Sequence, residues 1–497
     1  MSTGLRAAMV RGVSWTGLAQ VFGYAASLVA IGASARYLEA RAFGIEAAAA
    51  VVVGVWTIAA DLGLGRALVQ RRDVVASHLT GAFWVGLAGS LLCAALLWGT
   101  ARFWSGLFFG DPGQMAAVLP TMGLGLVFAG FGAVPRAQME RAYRFGALAW
   151  VSLCATVCWG VTLVVLAIAG EGVWSLIWGY VARCAVLGLG PWVLNPVWVF
   201  TRFGPRDVGP LLGFGSKWVG SHLVGYFQQN LDYFLIGRFL GSGALGYYAL
   251  AYRVIALPQT RLTQVISRVT FPAFSSLQND LPRLGRAYLS TVRFVSLLVF
   301  PMMAVFALAA DPGIPLLMGP EKALVAPLLV LLCPAGAARA VAAAVGLIFF
   351  STGRPGLALM WNVGGALFML LAVRLGVGWG VEGAAVAVSA GAVLLTLVSQ
   401  SIANRLVDLR IIDYVRSLLP AAACGASVLV VGGAAKWLAF GRVDDLVLLG
   451  LCALAGCVGC VLSLLLLTPE VTREGTGMVR LLWSRDTAQN GEADAHG

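Results

Sequence analysis

With 60% hydrophobic residues against 11% charged over 497 positions, and a mean hydropathy of +0.87, the chain is too apolar for a soluble protein, in which about a quarter of residues carry charge. What remains is an all-α polytopic membrane protein, and the net charge of +12 then speaks for membrane topology and anionic lipid headgroups rather than for nucleic acid. The nine cysteines all lie in apolar stretches; even Cys457 and Cys460, at metal-ligand spacing, read as small core residues, and no metal or cofactor is expected.

In chain order, a short basic start, Met1 to Arg11, precedes an apolar run from Val13 to Ala35. That run is longer than the apolar part of a usual signal peptide and reads as the first membrane span. Further spans are expected at 43–65, 79–101, 115–135, 146–169, 173–195, 214–237, 245–270, 294–317, 324–350, 355–375, 379–402, 415–438 and 444–467. Each is near the ~20 residues that a helix needs to cross the hydrocarbon core. The count is about fourteen transmembrane helices. The segment 468–497 is polar, without an apolar face, and is expected to form a disordered cytoplasmic tail.

The basic residues test this map independently. With the N-terminus inside, 23 of the 34 Lys and Arg fall in inner loops and eight in outer loops, the asymmetry that sets orientation. Both ends are therefore expected in the cytoplasm. Motifs also recur about 202 to 208 residues apart. Gly12-Val13-Ser14-Trp15 is answered by Gly215-Ser216-Lys217-Trp218, and Arg36-Tyr37-Leu38 with Phe43-Gly44 by Arg238-Phe239-Leu240 with Leu245-Gly246. Gly170-Glu171-Gly172-Val173 likewise recurs as Gly378-Trp379-Gly380-Val381. Six spans separate the copies, so both have the same orientation. The expectation is two six-helix lobes, 1–200 and 201–410, related by a pseudo-two-fold axis along the membrane normal. Residues 411–467 add two further spans.

The most informative stretch is Gly213 to Arg293. Two long apolar segments meet at Gly241-Ser242-Gly243, yet they carry Gln228, Gln229, Asn230, Asp232, Arg253 and Gln259, and Pro258 interrupts the second. Polar groups deep in a bilayer are costly unless they face water or protein, so this hairpin points to a translocation pathway. The run LDYFLIGRFLGSGALGYYALAYRVIALP, then ISRVTFPAFSSLQND, resembles the middle signature of bacterial oligosaccharide and polysaccharide flippases. These belong to the multidrug/oligosaccharidyl-lipid/polysaccharide exporter superfamily. ARYLEARAFG and DLGLGRALVQRRD are similar to that family's first hairpin, though Glu39-Ala40-Arg41 departs from its usual turn. The resemblance spans roughly residues 5 to 410. It implies a flippase of the bacterial inner membrane that moves undecaprenyl-diphosphate-linked oligosaccharide from inner to outer leaflet by alternating access. Polysaccharide polymerases and chain-length regulators are the protein partners it would imply.

A diphosphate-linked sugar needs a wet path with cationic partners, and the planar fork of Arg suits phosphate. The candidates are Arg66, Arg253, Arg261 and Arg339. Headgroup anchoring is an equal reading for Arg66 and Arg261; Arg253 and Arg339 sit deeper in their spans. Gln228, Gln229, Asn230 and Asn362 are candidates for sugar hydroxyls, with helix–helix hydrogen bonds as the alternative. Asp232 and Arg253 lie at similar depth on adjacent segments, as a gate or ion-coupling pair or as a static pair. Asp61, just before Gly63 and Gly65, ends the second span and is the other gating candidate. Two function classes compete with the flippase. A multidrug antiporter would favour an acid-rich aromatic cavity. A membrane polymerase or ligase would need a sizeable outer loop with catalytic groups, but the outer loops are short turns, and His78, His222 and His496 form no constellation. A GxxxxGK[ST] motif is absent from the sequence, so a transporter rather than an enzyme is expected.

Overall fold

The computed structural model describes residues 22–459 except 24, 72, 110–112, 279, 352–354, 440–443, 445, 449, 453, 455 and 457. The start of the first expected span, the side chain of Arg261, Cys457, Cys460 and the expected tail lie outside the described residues. Among those described, regular structure is helical throughout. The helices are α1 (Ala25–Ala35), α2 (Ala40–Asp61), α3 (Leu64–Gln70), α4 (Ala76–Gly99), α5 (Ala101–Phe109), α6 (Gln114–Arg141) and α7 (Phe145–Ile168). They continue with α8 (Val173–Leu194), α9 (Pro205–Ser276), α10 (Leu281–Met318), α11 (Val325–Ser351), α12 (Pro355–Gly376), α13 (Gly380–Leu406) and α14 (Ile411–Ala439).

Nine described runs are long and apolar enough to span a bilayer, one of them Met360–Leu406, which joins α12 and α13. The protein is a polytopic helical membrane protein. Among the described residues, α9 contributes no run to that set. Among its described residues the backbone leaves helical φ/ψ at Gly241, with φ 82° and ψ 180°, a conformation open to glycine at little steric cost. The expected interruption at Pro258 and the side chain of Gln259 lie outside the described residues.

Two compact units are present. The first comprises residues up to Leu257 with Leu317–Leu331 and Leu359–Gly391. Within it α6 is the hub, packing against α2, α3, α4, α5, α7 and α8. The turn from α2 to α3 uses two left-handed residues, Leu62 and Gly63, and sends the short α3 into a core of Leu64, Ala67, Leu68, Ala82, Phe83, Val134, Ala137 and Val199. The second unit comprises Pro258–Leu316, Leu332–Ala358 and residues from Ala392 onward. There α14 lies on α10 through Ala304, Leu308 and Val428. Lys436 joins them, 2.6 Å from Asp311 and 3.3 Å from the Leu308 carbonyl. Tyr288 donates to Gln400 at 2.5 Å, and Gln400 donates to Asn404 at 2.7 Å.

Candidate functional site

The site is built where α2 crosses α9 beside Gly241. A Cβ on Gly44 would overlap the Ser242 carbonyl, and a Cβ on Gly246 would overlap the Ala40 carbonyl. The two backbones touch, as small residues four apart allow in membrane helices. The contact is reciprocal: Ser242 stands 202 positions after Ala40, and Gly246 stands 202 after Gly44. Residue i meets the counterpart of j while j meets the counterpart of i.

This crossing brings the charges together. Glu46 lies half a turn beyond Gly44, and Arg253 two turns beyond Gly246, so the Arg253 guanidinium closes on the Glu46 carboxylate as a salt bridge. The two side chains are 24% and 13% exposed, dry enough that loss of one partner strands the other charge. Asp232, at 3% exposure, accepts a 2.7 Å hydrogen bond from the Tyr248 hydroxyl and a 3.0 Å bond from the Tyr233 N–H. Three tyrosines pack around these groups. Tyr233 stands edge-on to Tyr248 and Tyr252 at 5.5 and 5.8 Å, and Tyr248 stacks on Tyr252 at 6.0 Å. Tyr233 lies in the combined field of Asp232, Arg253 and Glu46. Further along α2, the Tyr226 hydroxyl donates to the Ala50 and Val51 carbonyls at 3.3 and 3.1 Å, and its ring fills the notch at Gly54.

Asp232 and Arg253 do share this cluster, but the carboxylate bridged to Arg253 is that of Glu46. Sequence reasoning missed Glu46, Tyr233, Tyr248 and Tyr252. The signal for Glu46 was available: it is the one acid inside the apolar run from Ala40 to Ala60, and intramembrane acids ask for a partner. At the other end of α2, half-buried Asp61 lies within electrostatic reach of Arg66, Arg136 and His222. Arg66 is exposed on α3, whose last carbonyls are capped by Arg141, 2.6 Å from Leu68 O and also bonded to Arg71 O. Gln229 and Asn230 donate to carbonyls of their own helix, Gly225 at 3.2 Å and Tyr226 at 2.8 Å. Gln228 and Asn362 are half-buried in the first unit, and Arg339 is half-buried in the second.

Comparison with known proteins gives a coherent result. The family model described as polysaccharide biosynthesis protein matches residues 34–323. The lipopolysaccharide biosynthesis protein WzxC of Escherichia coli (strain K12) is 25% identical over 80% of this chain and 80% of its own. Among solved structures, the lipid II flippase MurJ in an inward closed conformation matches at TM-score 0.73 and 13% identity, over 92% of this chain and 99% of that one. An inward-facing multidrug resistance transporter of the MATE family matches at TM-score 0.62 and 17% identity, over 77% and 94%.

Proposed function

Since the chain belongs to the polysaccharide biosynthesis protein family, its model matching more than half the residues, we propose that it is a flippase. Its cargo is an undecaprenyl-diphosphate-linked oligosaccharide, a lipopolysaccharide, capsule or exopolysaccharide repeat, carried from the inner to the outer leaflet of the bacterial cytoplasmic membrane. The observation that carries this reading is the charged cluster of Glu46, Arg253 and Asp232 where α2 crosses α9, in a protein of that family. WzxC is named for lipopolysaccharide biosynthesis, and MurJ, which has the same fold, is a lipid II flippase.

In this proposal the cluster is a latch. Closure is held by Glu46–Arg253 across the α2–α9 crossing, Tyr248–Asp232 braces the two arms of α9 on either side of Gly241, and release outward requires the crossing to part. Arg66, Arg261 and Arg339 serve the diphosphate, Gln228, Gln229, Asn230 and Asn362 the sugar, and Asp61 with His222 the other end of the path. The lobes 1–200 and 201–410 move about a pseudo-two-fold axis, a reading supported by the reciprocal crossing at Gly44 and Gly246. Both termini are cytoplasmic, and membrane lipids and other assembly proteins are the partners.

The fold is shared with a multidrug transporter and does not decide between the two cargoes. The cluster does favour one. An organic-cation site would hold its acids open, whereas Glu46 is already neutralised by Arg253. The test is reconstitution of the full chain in proteoliposomes loaded with a lipid-linked oligosaccharide. Appearance of the glycan on the opposite leaflet, read by an impermeant lectin, is expected; efflux of ethidium without glycan movement would overturn the assignment.

A further inference from the structure

The segment between α8 and α9 is not helical, and its side chains alternate in burial. Val197, Val199 and Thr201 turn inward, while Pro196, Trp198, Phe200 and Arg202 turn outward. The inward set is fastened to the first unit. Val199 is 3% exposed within the core formed by α3, α4 and α6. Its carbonyl accepts a 3.0 Å bond from Trp84 Nε1, and Thr201 meets Thr80 at 2.6 Å, oxygen to oxygen. Arg144 holds the start of the segment through the Leu194 carbonyl and Asn195 Oδ1, both at 3.3 Å. The outward set is of another kind: Trp198 is 72% exposed and Phe200 69%. Their rings stand 5.3 Å apart, with Trp84 6.5 Å beyond Phe200.

A period of two with one face buried is the signature of a strand packed on a core. Here the other face is an aromatic row ending in a cation, and the segment joins two helices read as membrane spans. Covalent continuity holds it at the membrane surface, where Trp and aromatic rings settle at headgroup level and Arg meets anionic lipid. We propose that residues 196–202 form an interfacial strap, clamped to the first unit by Val199 and Thr201. Its outward face, Trp198, Phe200 and Arg202, is seated in the anionic headgroup layer. Which leaflet receives it rests on the orientation proposed above; the seating itself rests on neither that orientation nor the cargo. A protein that failed to flip glycan would still give the result below.

The experiment places an environment-sensitive fluorescent amino acid at position 198, and separately at 200, in the full-length chain reconstituted in phosphatidylglycerol-containing vesicles. Position 278, in a turn after α9, is the reference. The expected result is blue-shifted emission at 198 and 200, quenched by headgroup nitroxide lipid and insensitive to iodide, with the reverse at 278. Quenching by iodide at 198 and 200 would overturn the proposal, and so would protection from both quenchers, which would mean cover by protein. In the probe-200 protein, Arg202→Gln is expected to reduce nitroxide quenching in phosphatidylglycerol vesicles and to leave it unchanged in phosphatidylcholine. No change in either lipid would overturn the anionic part of the assignment.

Discussion

At the scale of single residues, the account turns on which charges are paired and which are held for cargo. Glu46 and Arg253 lose most of their hydration in the crossing, so removing either partner alone is expected to destabilise the protein by about 2 to 3 kcal/mol, discounted from a fully buried pair for their partial exposure. Glu46→Ala and Arg253→Ala should each lower abundance. Exchanging the two, Glu46→Arg with Arg253→Glu, should restore abundance and much of glycan export, because a latch needs opposite charges and not a particular side for each. Abundance restored with export still lost would make Arg253 a cargo contact. Arg339→Ala is expected to behave otherwise, with export falling at normal abundance; full export would remove Arg339 from the path. Tyr248→Phe takes one donor from buried Asp232, a loss of about 1 to 3 kcal/mol. Thermal unfolding in detergent reads it, and an unchanged midpoint would show that water or another donor serves the carboxylate equally well.

At the scale of elements, the crossing of α2 and α9 leaves no room for a side chain at either glycine. Gly44→Ala and Gly246→Ala should therefore both depress abundance and by similar amounts, since the two contacts mirror each other. Tolerance of one alone would break the equivalence. The strap makes a complementary prediction. Because Val199 and Thr201 belong to the first unit's core, a disulfide between Thr80→Cys and Thr201→Cys should form readily and leave export intact. Loss of export on oxidation, recovered on reduction, would show that the strap undocks during transport.

These elements were unequally legible in the sequence. Helix positions followed from runs of apolar residues, so α4, α6, α7 and α8 begin within three residues of the expected spans. Gly241 announced the break in α9 because that backbone conformation wants glycine. The partner of Arg253 was illegible: spacing along α9 suggested Asp232, while the choice of Glu46 depends on a tertiary contact 207 positions away. The strap was missed because a window set for helical spans passes over seven residues of alternating character.

At the scale of the whole molecule, the distribution of Arg and Lys predicts which loops face the cytoplasm. An impermeant thiol reagent should reach cysteines placed at Arg71, Arg141 and Gln278 only from inside, and one placed at Glu321 only from outside; two inversions would discard the span map. The most direct measurement of the central claim is glycan flipping itself. The purified chain, reconstituted with an undecaprenyl-diphosphate-linked oligosaccharide, should expose that glycan to an externally added lectin at a rate well above protein-free vesicles. Arg339→Ala should lower the gain, and the Glu46–Arg253 exchange should retain much of it. A lectin-accessible fraction equal in vesicles with and without the protein, with the chain folded and monodisperse, would contradict the account.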